Sequence, residues 1–151
     1  MKQRVYKAKT DSGLLDQISF IVFVIRFNYR LVEKKWPQIQ KAFYKFDVKK
    51  LAKMDENDLD PFMQAEGMIK NKFKMRAVIQ NAKIILAKQQ KYGSALKWIE
   101  HCKKESQNSP ILAKQLNECF QEFQGIGKMT SGWLESLYSS KKDFVEYEMP
   151  D

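Results

Sequence analysis

The sequence predicts an all-α, compact helical fold, and three observations carry that prediction. Apolar residues recur at three-to-four spacing over several long stretches. Asp, Ser and Pro stand where helices would begin, and Gly67 stands where one would end. The longest periodic stretch, from Asn71 to Lys91, is too long for a strand. The length of 151 residues fits one domain that buries about two-thirds of its unfolded surface without disulfide or metal. The expected layout is a loose basic arm over 1–11, a helical core over 14–138 and a tail over 139–151.

The core opens with a helix from about Leu14 to Glu33, capped by Asp11 or Ser12 and apolar almost all round as far as Phe27. Its most apolar run, Ile18 to Ile25, has branched residues that would also suit a strand, but Leu31 and Val32 continue the helical period. Pro37 suits the first turn of a second helix reaching Lys45, with Ile39, Ala42, Phe43 and Phe46 on one face. Asp47 caps a short helix through Met54, and Asp60-Pro61 starts another that Gly67 closes. From Asn71 to Lys91 an apolar stripe of Phe73, Met75, Val78, Ile79, Ala82, Ile85 and Leu86 runs beside a solvated face of Lys72, Lys74, Arg76, Lys83 and Lys88. Gly93-Ser94 begins a short helix with Leu96, Trp98 and Ile99, followed by a polar loop from Lys103 to Ser109. Ser109-Pro110 begins a helix to Phe120, and a last helix carries Trp133, Leu134 and Leu137.

Lys and Arg outnumber Asp and Glu by 27 to 18, a formal charge of +9. That surplus favours a polyanionic partner, without giving sequence specificity. Cys102 and Cys119 are far apart and no signal sequence is evident, so reduced thiols in the cytoplasm are expected. The apolar run at Ile18–Ile25 is well short of the roughly 20 residues that cross a bilayer, so no membrane partner is expected. His101 beside Cys102 is a poor chelating arrangement; no metal and no cofactor are expected.

The stretch Phe123-Gln124-Gly125-Ile126-Gly127-Lys128-Met129-Thr130-Ser131 concentrates the candidate chemistry. Two glycines one residue apart permit a tight hairpin whose N–H groups sit against a phosphate. The helix that follows aims its positive dipole end at the same place, and Lys128 adds a full charge. Gly125, Gly127, Lys128 and Thr130 are therefore candidate contacts to a DNA backbone, the alternative being a plain loop between helices.

These residues resemble the helix-hairpin-helix motif of DNA repair glycosylases. The middle of the chain is similar to the 3-methyladenine DNA glycosylase I family: Lys41-Ala42-Phe43, Phe46-Asp47, Leu51-Ala52-Lys53-Met54, Asp58 and the segment Gly67-Met68-Ile69-Lys70-Asn71-Lys72-Phe73-Lys74-Met75 follow that family in order, and Trp98 fits a later family tryptophan. The resemblance implies a helix-hairpin-helix glycosylase fold that bends duplex DNA, flips one nucleotide and hydrolyses the N-glycosidic bond of an alkylated purine. The base pocket is expected near Phe23, Tyr29 and Trp36, with Tyr29 where the family has a stacking tryptophan. Lys70 and Lys72 join the hairpin as expected DNA-backbone contacts.

The chain also departs from the family. Ile21 stands where the family has a glutamate that reads the base, and an aliphatic side chain accepts no hydrogen bond. The family's N-terminal aromatic segment and its zinc-holding Cys and His residues have no counterpart in this sequence. Related glycosylases place a catalytic aspartate beyond the hairpin; here that region holds Asp143, Glu146, Glu148 and Asp151, of which Asp143 and Glu146 are the candidates carried forward. The expected activity is thus excision of an alkylated purine by a monomer acting on damaged double-stranded DNA. The alternative is a catalytically inactive helix-hairpin-helix module that binds DNA through the same fold.

Overall fold

The computed structural model describes residues 2–148. Eight α-helices form the body: α1 (Asp11–Val24), α2 (Tyr29–Ala42), α3 (Val48–Ala52), α4 (Asp60–Gln64), α5 (Lys72–Tyr92), α6 (Ala95–Asn108), α7 (Leu116–Phe120) and α8 (Lys128–Ser139). A two-stranded antiparallel ribbon, β1 (Lys2–Tyr6) with β2 (Phe144–Glu148), joins the stretches read as arm and tail. Residues 2–6 and 144–148 are therefore held by strand pairing rather than loose. Val5 pairs with Val145 and Tyr6 with Phe144, and ring packing of Tyr6 on Phe144 at 5.5 Å supplies cross-strand contact that charge-rich neighbours conceal in the sequence.

α1 lies at the centre, packed against α2, α3, α5 and α6, with Leu14, Leu15, Ile18, Val22 and Phe23 fully buried or nearly so. Thr10 is its N-cap, accepting from Gly13 N–H at 3.0 Å. Asp11, one of the two residues expected to cap it, instead caps a different helix: its carboxylate accepts from Ala95 N–H at 2.9 Å and Leu96 N–H at 3.2 Å, at the start of α6.

The single helix expected over 14–33 is broken. Arg26 adopts a left-handed conformation, φ 55°, and Asn28 caps α2 through Leu31 N–H, so the chain turns at 25–28. Pro37 consequently falls inside α2 rather than in a first turn. After α2, Tyr44, Lys45 and Phe46 are all left-handed, a tight turn that drives Phe46 under Trp36 with ring centroids 5.5 Å apart.

In α5 the expected stripe holds from Met75 to Ile85, buried at Met75, Val78, Ile79, Ala82 and Ile85, but the first turn exchanges two residues. Phe73 is 64% exposed and Lys74 only 8%. The reason is electrostatic: the Lys74 ammonium donates to the carbonyls of Phe23 at 2.7 Å and Ile25 at 2.8 Å, closing the negative end of α1. Burial holds its pKa below the usual lysine value. The loop expected from Lys103 to Ser109 is the last turns of α6, and the helix expected from Ser109 is a turn that becomes helical only at Leu116. Among the described residues no helix is long and apolar enough to cross a membrane.

Candidate base pocket and hairpin

One face of α1 and one of α2 diverge to leave a cavity of about 770 Å³. That volume lies within the range typical of small-molecule sites, roughly 300–1,000 Å³. α1 contributes Asp16, Gln17, Phe20, Ile21 and Val24; α2 contributes Tyr29, Glu33, Trp36, Pro37 and Gln40. Met129, Thr130 and Trp133 of α8 line a third side. The ribbon supplies the fourth through Gln3, Arg4, Val5, Tyr6 and Tyr147.

The aromatic walls are ordered by edge contacts. Phe20 meets Tyr29 edge-on at 5.5 Å and Trp36 edge-on at 5.1 Å, and Trp133 meets Tyr147 at 6.5 Å. Tyr29 is half-buried; burial, reinforced by the Tyr147 hydroxyl and the Glu33 carboxylate, raises its pKa and keeps it a neutral hydrogen-bonding phenol. Asp16 is fixed from one side: Trp36 Nε1 donates to Oδ1 at 2.8 Å and Gln40 Nε2 to Oδ2 at 2.7 Å. Both donors are neutral. The ribbon is held against this frame by Gln17 Nε2, which donates to the Tyr6 carbonyl at 2.9 Å, and by Ala8 N–H, which donates to the Tyr138 hydroxyl at 3.1 Å.

Of the three residues expected around the base, Tyr29 and Trp36 line the cavity and Phe23 does not. Phe23 is fully buried, behind Trp36 at 5.8 Å, because it sits on the face of α1 that packs inward. Ile21 lines the cavity, so the position where the resemblance expects a carboxylate is apolar there too. Asp143 and Glu146 are outside the lining: Asp143 is exposed on the turn before β2, and Glu146 pairs with Arg4 at 3.1 Å across the ribbon. Asp151 lies outside the described residues. Sequence reasoning passed over Asp16, although a carboxylate inside an otherwise apolar helical run was a readable signal.

The hairpin is anchored at two points and otherwise open. Phe123 and Ile126 are buried, Phe123 against Trp98 at 5.8 Å, while Gln124, Gly125, Gly127 and Lys128 are exposed. Gly125 has φ +85°, and a Cβ there would stand 3.0 Å from Val22 of α1, so both the turn and the close approach require glycine. Gly127 is the N-cap of α8, and Lys128 its first residue, leaving the helix's free N–H groups at the surface. Met129 is 91% exposed. Lys70 and Lys72 are exposed before and at the start of α5, but Lys72 shares a shallow depression with Asp55, Glu56 and Asp60, which offset its charge.

Cys102 and Cys119 are buried, free and within hydrogen-bonding reach of each other; that hydrogen bond raises the pKa of Cys102 and lowers that of Cys119. His101 packs its ring near Tyr92 at 5.2 Å. Among the described residues no cluster of three or more His, Cys, Asp or Glu side chains is placed to hold a metal ion.

The helical frame is shared with solved proteins. A point variant of 3-methyladenine DNA glycosylase I from Staphylococcus aureus superposes with a TM-score of 0.69 at 19% identity, covering 84% of this chain and 77% of that one. A 3-methyladenine DNA glycosylase I variant in complex with 3-methyladenine superposes with a TM-score of 0.67 at 18% identity, covering 83% and 77%. In sequence, the DNA-3-methyladenine glycosylase of Haemophilus influenzae is 45% identical over 56 residues, which span 37% of this chain and 30% of that protein. The match to this relative thus covers less than a third of its length. The sequence profile of the methyladenine glycosylases matches residues 5–129, most of the helical body and the hairpin. By that match the chain belongs to the methyladenine glycosylase family.

Proposed function

We propose that this chain is a base-excision DNA glycosylase that flips an alkylated purine, of the 3-methyladenine type, out of duplex DNA and hydrolyses its N-glycosidic bond. The observation that carries this reading is the continuity between cavity and hairpin. Met129 and Thr130, which follow directly on Gly127 and Lys128, line the cavity that Tyr29 and Trp36 wall. A strand held at the hairpin therefore presents its neighbouring nucleotide to an aromatic pocket.

In this reading Gly125, Gly127, Lys128 and Thr130 grip the phosphates, with Lys70 adding attraction and Lys72 less. Tyr29, Trp36 and Trp133 stack on the extruded ring. An alkylated purine in DNA is cationic, so it departs with the electron pair of the glycosidic bond as a neutral base. Water adds to the anomeric carbon and releases one proton to solvent. The protein's part is to hold the ring in a cavity whose aromatic faces and carboxylate favour its charge over that of an ordinary base. The protein would act as a monomer in the cytoplasm, on damaged double-stranded DNA.

The test is free-base release from methylated duplex DNA by the purified chain, with mass-spectrometric identification of the product. Release of 3-methyladenine supports the proposal. Tight duplex binding with no base released under excess protein would leave only the inactive binding module.

A further inference from the structure

We propose that Asp16 is the carboxylate that reads the flipped base in this chain, in place of an acid at Ile21. The inference rests on the proposed function and adds to it the residue that recognises the ring. Asp16, Phe20 and Ile21 all project from α1 into the same cavity. Asp16 lies five positions before Ile21, about 7 Å nearer the start of the helix. A base that meets Asp16 therefore sits nearer the start of α1, beside Phe20 and Trp36, and the cavity of about 770 Å³ accommodates that shift.

Three features fit the carboxylate to this task. Its orientation is fixed, because Trp36 and Gln40 each hold one oxygen. Its acceptor capacity is not exhausted, because an ionised carboxylate offers about four lone-pair sites and these donors occupy two. Its bonded partners are neutral, so its charge is left for a ligand, and a cationic purine bearing an exocyclic amine supplies both a donor and the opposite sign. The cation lining the same cavity, Arg4, is already paired with Glu146 at 3.1 Å on the ribbon.

The experiment compares wild type with Asp16→Asn, which keeps the side-chain shape and the acceptor for Trp36. Binding of 3-methyladenine as the free base is followed by tryptophan fluorescence, beside duplex DNA affinity and thermal melting. The assignment expects base affinity to fall about tenfold or more, the scale of one hydrogen bond to a charged group, while duplex affinity stays as in wild type and melting falls by no more than loss of the Gln40 hydrogen bond accounts for. Asp16→Ser serves in the same way should the asparagine variant fold poorly. Undiminished base binding by a folded Asp16 variant overturns the assignment and leaves the proposed function standing. A folded wild-type chain that binds duplex but neither binds the free base nor releases it from methylated DNA overturns both.

Discussion

Asn81 holds the peptide of Gln124 with both ends of its side-chain amide. Oδ1 accepts from Gln124 N–H at 2.7 Å and Nδ2 donates to the Gln124 carbonyl at 3.1 Å. Asn81 is fully buried in the middle of α5, so a polar group in the core is satisfied by the backbone of the hairpin and fixes where that hairpin stands. Asn81→Leu should lower stability by about 1–3 kcal/mol, because the leucine leaves the Gln124 peptide unpaired. Chemical denaturation measures the loss, and amide exchange should show its protection failing first around residues 123–127.

The two hairpin glycines should separate by experiment. Gly125→Ala forces a side chain into a left-handed conformation and against Val22, a cost of about 1–3 kcal/mol. Gly127 has φ −94° and open space around it, so Gly127→Ala should leave the melting temperature nearly unchanged. Its effect, if the amides meet phosphate, is a weaker grip on duplex DNA.

Lys128→Ala should weaken duplex binding about equally across sequences. It should also reduce the slope of log affinity against log salt by about one ion, as expected when one phosphate contact is removed. A titration of labelled duplex at several salt concentrations checks both. Equal affinity for the variant and wild type at every salt concentration would place the backbone contact elsewhere.

Lys74→Met should cost about 1–3 kcal/mol, since the carbonyls of Phe23 and Ile25 lose their charged donor. The turn at 25–28 should loosen with it, and tryptophan fluorescence from Trp36 reports the change in the neighbouring wall. Undiminished stability would show that solvent replaces the ammonium without loss.

Tyr138 gives a pH dependence with a defined sign. Burial pushes its pKa up from 10.0 to about 12, while its hydroxyl accepts from Ala8 N–H and donates to Gln17 Oε1 at 2.7 Å. The folded state therefore keeps a proton that the unfolded chain has lost between those values. Stability from this group is intact below pH 10 and falls as pH rises toward 12. Tyr138→Phe should show a shallower decline over that window when unfolding free energies are compared at successive pH values.

Much of the helical body was legible because its signals are local. Asn71, Ser94 and Asp47 announce helix starts by their own chemistry, and Gly93 ends α5 with φ +93°. The failures share a cause of another kind. Lys74 reads as a solvated lysine until the end of α1 is brought beside it, and the break at Arg26 comes without any proline or glycine to mark it. The site divides likewise. Tyr29 and Trp36 were readable through the family resemblance, but Phe23 was separated from them only by the inward face of α1. The ribbon wall, with Tyr147 and Arg4, depends on pairing between distant stretches and leaves no local trace.

That ribbon also sets an order of events for the chain. Arg4 and Glu146 are 142 positions apart, and closing so long a loop from the unfolded state costs ~4 kcal/mol of entropy before any bond forms. Five strand positions a side repay this poorly unless the helices have already drawn the ends together. The wall that completes the cavity is thus expected to assemble last. Residues 2–6 would then pair with residues 144–148 on a body whose helices and hairpin already stand, and the open cavity would gain its fourth wall.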